Sequence, residues 1–251
     1  MARKERVQAA LFGLIGLIAF LVLWEVAGQG RWLGLTLPPF SAVLRFLADP
    51  ARRAMVLSAV AATSAVVAVG YAAGLIAGFV AAVAAHFCPL LRPGLDRLSG
   101  LLHSIPTIAL APIFIVVLDR AYTGIALAAI SVYFVVYVAT MSGLKLTSKA
   151  GVDLFTVLGA RRSVRFFQLE LPGALPSLLS GLSYGVPAAF IGVLLGEWFG
   201  SSRGVGLLMV TAMQNFEIPL LWASVVSISA VSLCAYGAMT LGARYVEGRY
   251  R

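Results

Sequence analysis

Residues 54–91 read AMVLSAVAATSAVVAVGYAAGLIAGFVAAVAAHFCPLL and contain no Asp, Glu, Lys or Arg. A helix needs about 20 apolar residues to cross the hydrocarbon core of a bilayer. This run is long enough for one tilted helix followed by a loop containing Pro89. Outward from it, further charge-free runs cover 7–24, 98–118, 121–144, 171–196 and 218–243. Backbone N–H and C=O groups in lipid must be paired within the protein, so runs of this length are expected to be helical. None shows the ten-residue alternation of a transmembrane barrel strand. The sequence therefore predicts an all-α polytopic membrane protein. Six spans are expected, over about 9–27, 56–85, 98–118, 121–143, 177–198 and 220–242, in one transmembrane domain covering 1–251.

Composition agrees. Of the 251 residues, 61% are hydrophobic and 12% charged, about half the charged share of a soluble domain. A mean hydropathy of +0.96 leaves too few polar groups to cover a water-soluble fold, and no stretch has the composition of a long disordered tail. The net charge of +9 would suggest nucleic acid in a soluble chain. In a membrane protein it instead reports Lys and Arg gathered on the cytoplasmic side. Cys88 and Cys234 are spaced neither as a metal site nor as a redox pair. The basic start Arg3-Lys4-Arg6 fits a signal peptide, but no small-residue cleavage site follows before Trp24-Glu25, which favours a retained anchor.

Orientation follows from the charges. With the N-terminus inside, thirteen of the nineteen Lys and Arg fall in inside segments: Arg3, Lys4, Arg6, Arg92, Arg97, Lys145, Lys149, Arg161, Arg162, Arg165, Arg244, Arg249 and Arg251. Arg31, Arg45, Arg52, Arg53, Arg120 and Arg203 fall outside. Both termini are thus expected in the cytoplasm. The outer segment 28–53 reads as a loop through Leu37-Pro38-Pro39 and then a short interfacial helix, with Ser41 as its cap.

The longest inside loop, 145–176, carries five basic residues. Residues 152–158 can form a short amphipathic helix that Gly159 ends in a left-handed turn. A second helical piece, 161–170, follows before Pro172 and Pro176. Such a helix–Gly–helix is either a docking surface for a soluble partner or an ordinary solvated basic loop. Within this loop Asp153-Leu154-Phe155, three residues, Gly159, nine residues, Leu169 and then Leu171-Pro172 resembles the signature of ABC importer permeases: Glu-Ala-Ala, three residues, Gly, nine residues, Ile, one residue, Leu-Pro. The spacing agrees throughout; Asp153 stands for Glu, and Leu154-Phe155 replace the alanines. Three further segments are similar to the nitrate/sulfonate/taurine-type branch. They are Leu37 to Val43, Ile105-Pro106-Thr107-Ile108-Ala109-Leu110-Ala111-Pro112, and Gly196-Glu197 with Arg203-Gly204-Val205-Gly206.

The resemblance implies a type I importer permease in the inner membrane, working as a pair of permease subunits with two ATPase subunits and an extracytoplasmic solute-binding protein. ATP and Mg would be held by the ATPase, and no cofactor by this chain. It also implies an ATPase-coupling set of Asp153, Leu154, Phe155, Leu158, Gly159, Ala160, Arg161, Leu171 and Pro172. The residues are consistent with that division of labour: no Gly is followed by Lys, so the chain lacks a phosphate-binding P-loop. Solutes implied by the branch are small anions such as sulfonates, taurine or nitrate; vitamin or heterocyclic precursors are the alternative. A stand-alone carrier or channel would call for intramembrane charges, which are scarce. An intramembrane enzyme would call for motifs such as His-Glu-x-x-His, which is missing.

Pathway or gate candidates are Pro106 and Pro112, whose rings free backbone carbonyls, Gly185 and Pro187 on the fifth span, and Glu197 at its end. Glu197 can meet a docked binding protein, pair with Arg203, shape an outer gate or simply reach water. Gly70, Gly74 and Gly78 are spaced for close helix packing. His86 and His103 have no ligand-type neighbours in sequence, and a structural role is expected for both.

Overall fold

The computed structural model describes residues 2–250. Arg251, counted above among the inside charges, lies outside the described residues, as do the side chains of Arg3, Lys4 and Arg6. Every regular element described is helical: α1 Ala2–Gln29, α2 Phe40–Ala48, α3 Pro50–Phe87, α4 Arg92–Ser104, α5 Thr107–Val117, α6 Arg120–Lys145, α7 Lys149–Val157, α8 Arg162–Arg165, a π-helical turn Phe166–Glu170, α9 Leu171–Gly200, α10 Val205–Gln214 and α11 Ile218–Tyr250. Five helices are long and apolar enough to cross a membrane, and six spans result if α4 and α5 count as one broken span.

That break corrects the expected third span over 98–118. The axes of α4 and α5 meet at 97°. Pro106 lacks an N–H, and its ring pushes Ile105 out of the helical region to φ −80°, ψ 121°. Pro112 lies within α5 without ending it. The remaining spans are longer than read, because their helices continue past the apolar run. The helix of the fifth span continues from the π-helical turn at Leu171 rather than starting at 177, with Pro172 directly after the junction. Helix α10 was not foreseen.

Close backbone contact assembles the centre of the bundle. Gly70, Gly74 and Gly78 of α3 are buried against α6 at Ile125, Ala128, Ala129, Val132 and Tyr133. On the other side of α6, a Cβ at Gly192 of α9 would fall 2.6 Å from the Ala128 nitrogen, and one at Gly196 2.5 Å from the Gly124 Cα. Lipid gives helices no hydrophobic reason to associate, so contact area gained by small residues carries the packing. The glycine spacing on α3 thus serves contacts within one subunit. Polar links hold α4 to α6: Tyr137 donates to Asp96 at 2.7 Å, and the Ser99 and Tyr133 hydroxyls lie 3.0 Å apart.

One end of the bundle is pinned by carboxylates. Ser41 does not cap α2, whose cap position is Pro39 without a side-chain bond. Glu25 of α1 does that work from outside, accepting from the Ser41 N–H at 2.9 Å and the Ser41 hydroxyl at 2.7 Å. Its oxygens satisfy a first-turn N–H that no local side chain reaches. Asp49 caps α3 through the Arg52 N–H at 2.9 Å, and Asp119 caps α6.

Glu197 is buried at 4% exposure. It accepts from the Thr63 hydroxyl of α3 at 2.9 Å and from the Gly206 N–H at 2.7 Å, while Thr63 in turn accepts from the Val205 N–H at 2.8 Å. The carboxylate therefore sits on the N-terminus of α10, where the helix dipole favours negative charge. Gly204, at φ +116°, has no room for a Cβ because the Glu197 carboxylate occupies that space. The spacing Gly196-Glu197 to Gly204-Val205-Gly206 is thereby explained: a short carboxylate staple needs glycines to let the turn close over it.

Two consequences can be measured by thermal unfolding in detergent. Gly192→Val is expected to lower stability by roughly 1–3 kcal/mol through overpacking against α6. Gly237→Ala, which meets open space, is expected to be neutral by comparison. Glu197→Ala strands the Thr63 hydroxyl and the Gly206 N–H at about 1–3 kcal/mol each. It should lower the unfolding temperature and open 201–206 to protease.

Candidate functional site

After α6, Ser148 caps α7 by accepting from the Gly151 N–H at 3.1 Å. The helix ends where Gly159 takes φ +69°. The Gly159 N–H donates to Thr156 O at 3.0 Å and the Ala160 N–H to Phe155 O at 2.9 Å, closing the C-terminal carbonyls of the short helix. Arg161 is extended and starts α8. The expected helix–Gly–helix is therefore present, with α7 beginning three residues earlier than read.

Of the coupling set, Asp153, Leu154, Leu158, Gly159 and Arg161 lie on the exposed surface, and Phe155 and Ala160 are half-buried. Leu154 and Leu158 are 57% and 71% exposed. Val157, not among the coupling residues the resemblance implies, is 85% exposed and completes an apolar surface with them. Leu171 and Pro172 are elsewhere: both are half-buried at the start of α9, and Leu171 packs against the buried cluster of Leu144, Phe166 and Ala174. They support the loop from inside.

The second arm of the loop is fastened to the end of α3. Glu170, 4% exposed, lies 2.7 Å from His86 Nε2 and accepts from Arg165 Nε at 3.0 Å. Arg162 donates to the carbonyls of His86 and Phe87, the latter at 2.9 Å, and its guanidinium lies over the Phe87 ring. Phe166, 2% exposed, packs its ring 5.3 Å from His86 and 5.0 Å from Phe87. Sequence reasoning missed this cluster, since its two halves are some eighty positions apart. The only signal was an acidic residue in a basic loop.

The pathway candidates do not converge on one point. Pro106 and Pro112 are exposed on α4–α5, Gly185 is buried against Tyr71 and Val132, and Glu197 is enclosed in the staple. Arg203 is exposed and forms no ion pair with Glu197. Pro187 lines a cavity of about 430 Å³ between α9 and α11, with Tyr184, Ser229, Ser232 and Tyr236. A second cavity, of about 500 Å³, lies between α6 and α9 and shares Tyr184. A third, of about 180 Å³, shares Phe134 with the second and Ile191 with the first. Together they follow one face of α9, and no Asp, Glu, Lys or Arg lines any of them. His103 stacks on Phe134 at 3.8 Å, and among the described residues no cluster of His, Cys, Asp or Glu could hold a metal.

Comparison with known proteins gives this architecture a family. The chain is 27% identical over 237 residues to the formylaminopyrimidine transport permease protein ThiX of Halalkalibacterium halodurans, covering 94% of each chain. It is 25% identical over 243 residues to the taurine transport system permease protein TauC of Escherichia coli, covering 94% of this chain and 87% of that one. A solved amino acid ABC transporter structure with histidines superposes with a TM-score of 0.65 at 11% identity, over 81% of this chain and 98% of that one, so the fold is shared. Residues 70–251 match the family described as binding-protein-dependent transport system inner membrane component. With its broken third span, its Gly159 elbow and this match, the chain belongs to that family and is a permease subunit of an ABC importer.

Proposed function

We propose that two copies of this chain enclose a solute path and are driven by two cytoplasmic ATPase subunits, which bind ATP and Mg and dock on α7. A binding protein on the opposite side delivers the solute, and both termini lie in the cytoplasm. The observation that carries the docking assignment is the apolar surface of Leu154, Val157 and Leu158 on a short helix hung from Gly159. Exposed apolar side chains on a polar, basic loop are the mark of a protein interface rather than of a solvated turn. The charge bias of thirteen inside against six outside supports the orientation.

On the solute, the motif resemblance points to a small anion such as a sulfonate, taurine or nitrate. The face of α9 favours the alternative, a vitamin or heterocyclic precursor. Its cavities offer Tyr184, Tyr236 and Phe134 rings with the hydroxyls of Ser131, Ser177, Ser180, Ser229 and Ser232 and the imidazole of His103, but no Lys or Arg. An anion entering such a groove would lose its water without a compensating charge; a planar uncharged ring would stack and hydrogen-bond.

Two measurements test these readings. A Cβ at Gly159 meets open space, and Asp adopts the left-handed region at a cost of about 1–2 kcal/mol, so Gly159→Asp is expected to fold with modest strain. In proteoliposomes with the partner subunits it should retain ATP hydrolysis while transport falls; normal transport would refute the docking assignment. The cognate binding protein, screened by thermal shift, is expected to respond to formylaminopyrimidine and not to taurine or nitrate.

A further inference from the structure

We propose that Glu170 is the positioning residue that carries displacement of the loop into α3, acting as a rigid link between Arg165 on the loop and His86 at the end of that span. The proposal rests on the docking of α7 argued above, and it names the part of the permease that the docked motor moves first.

The two arms of the loop are held very differently. Helix α7 has no buried residue, and its support is Gly151 lying against Leu169 of the second arm. The second arm is buried on one side only. In the π-helical turn, Phe166 and Glu170 are 2% and 4% exposed, while Phe167 and Gln168 between them face out. A π turn is wider than an α turn, is rare, and is frequent at functional sites. Here both buried side chains meet α3.

Each class of contact at that junction resists a different motion. The carboxylate accepts from Arg165 on Oε1 at 3.0 Å and holds Oε2 2.7 Å from His86 Nε2, so withdrawing it leaves a buried carboxylate without its neighbours. Arg162 binds the carbonyls of His86 and Phe87, which close the last turn of α3 and have no helical partner of their own. Phe166 packs against both the His86 and Phe87 rings, which touch each other. Pulling on α7 therefore acts through Leu169 on the second arm, and through Glu170 on α3. Because α3 lies on α6 along its glycine stripe, the two spans move as one body.

Cys88, exposed and unpaired, sits one residue beyond α3 and is a natural reporter of its end. The experiment uses the full permease with its ATPase subunits in lipid nanodiscs, with Cys234→Ser to leave one thiol. Spin labels on Cys88 of the two copies are measured with and without ATP, Mg and orthovanadate. The parent chain should show a shift in the Cys88–Cys88 distance on trapping. Glu170→Gln, nearly isosteric, should keep ATP hydrolysis and lose the shift. Arg165→Gln, at a more exposed position, should reduce it and decides the matter if Glu170→Gln fails to fold. A full shift in a folded Glu170→Gln, or in Arg165→Gln where that variant decides, overturns the proposal. Absence of a shift in the parent, with hydrolysis intact, overturns instead the reading that ATP moves this permease through the loop. A purely stabilising role for Glu170 would lower the unfolding temperature and leave the shift per trapped nucleotide unchanged.

Discussion

Backbone-to-backbone contact along α6 is the constraint on which the rest of the protein depends. Helix α3 approaches it from one side through Gly70, Gly74 and Gly78, and α9 from the other through Gly192 and Gly196. Water would drive such helices together by burying apolar side chains, but lipid is itself apolar, and only the additional dispersion contact of closely fitted helices remains. This three-helix slab is stiff because its interfaces leave no slack for side chains to adjust. The helices outside it are more loosely held: α1 faces outward over nearly its whole apolar length, and the α4–α5 pair bends by 97° at Pro106.

On that slab, two carboxylates sit at opposite ends of an antiparallel pair. Glu170 precedes α9 and meets His86 at the end of α3; Glu197 closes α9 and meets Thr63 in the first half of α3. The interval from Thr63 to His86 corresponds to roughly 34 Å of helix, close to the thickness of the hydrocarbon core. Each pin therefore falls at the depth where a charged group can be held without crossing the apolar layer. The ends differ in what they fix. At the end of α9, Glu197 locks a turn and the start of α10. At its start, Glu170 ties the slab to a loop whose other arm projects apolar side chains into solvent.

Sequence reasoning reached the span count, the elbow at Gly159 and the glycine stripe because each is a local pattern: absence of charge over 20 residues, a φ that only glycine adopts freely, a repeat of four. It also singled out Glu197 but offered Arg203 as a partner, when the carboxylate turns inward to Thr63 and Gly206. Ser41 was read as a cap from its position beside α2, and the structure supplies that cap from Glu25 on another helix. In both cases the partner lies on another element of the fold, brought there by packing. Val157 escaped notice for a different reason, since nothing in a motif marks which apolar side chain of a short helix will be left uncovered.

From the order of residues alone came what depends on neighbours along the chain: where helices can exist in lipid, where glycine or proline must interrupt them, which side the basic residues prefer, and the family signature across 153–172. Which helices touch, which carboxylate meets which hydroxyl or imidazole, and how the loop is bolted to α3 were decided only in three dimensions. The physical reason is that a helix in a membrane is specified by its own composition, whereas a buried polar group is specified by whichever distant partner removes the cost of its desolvation.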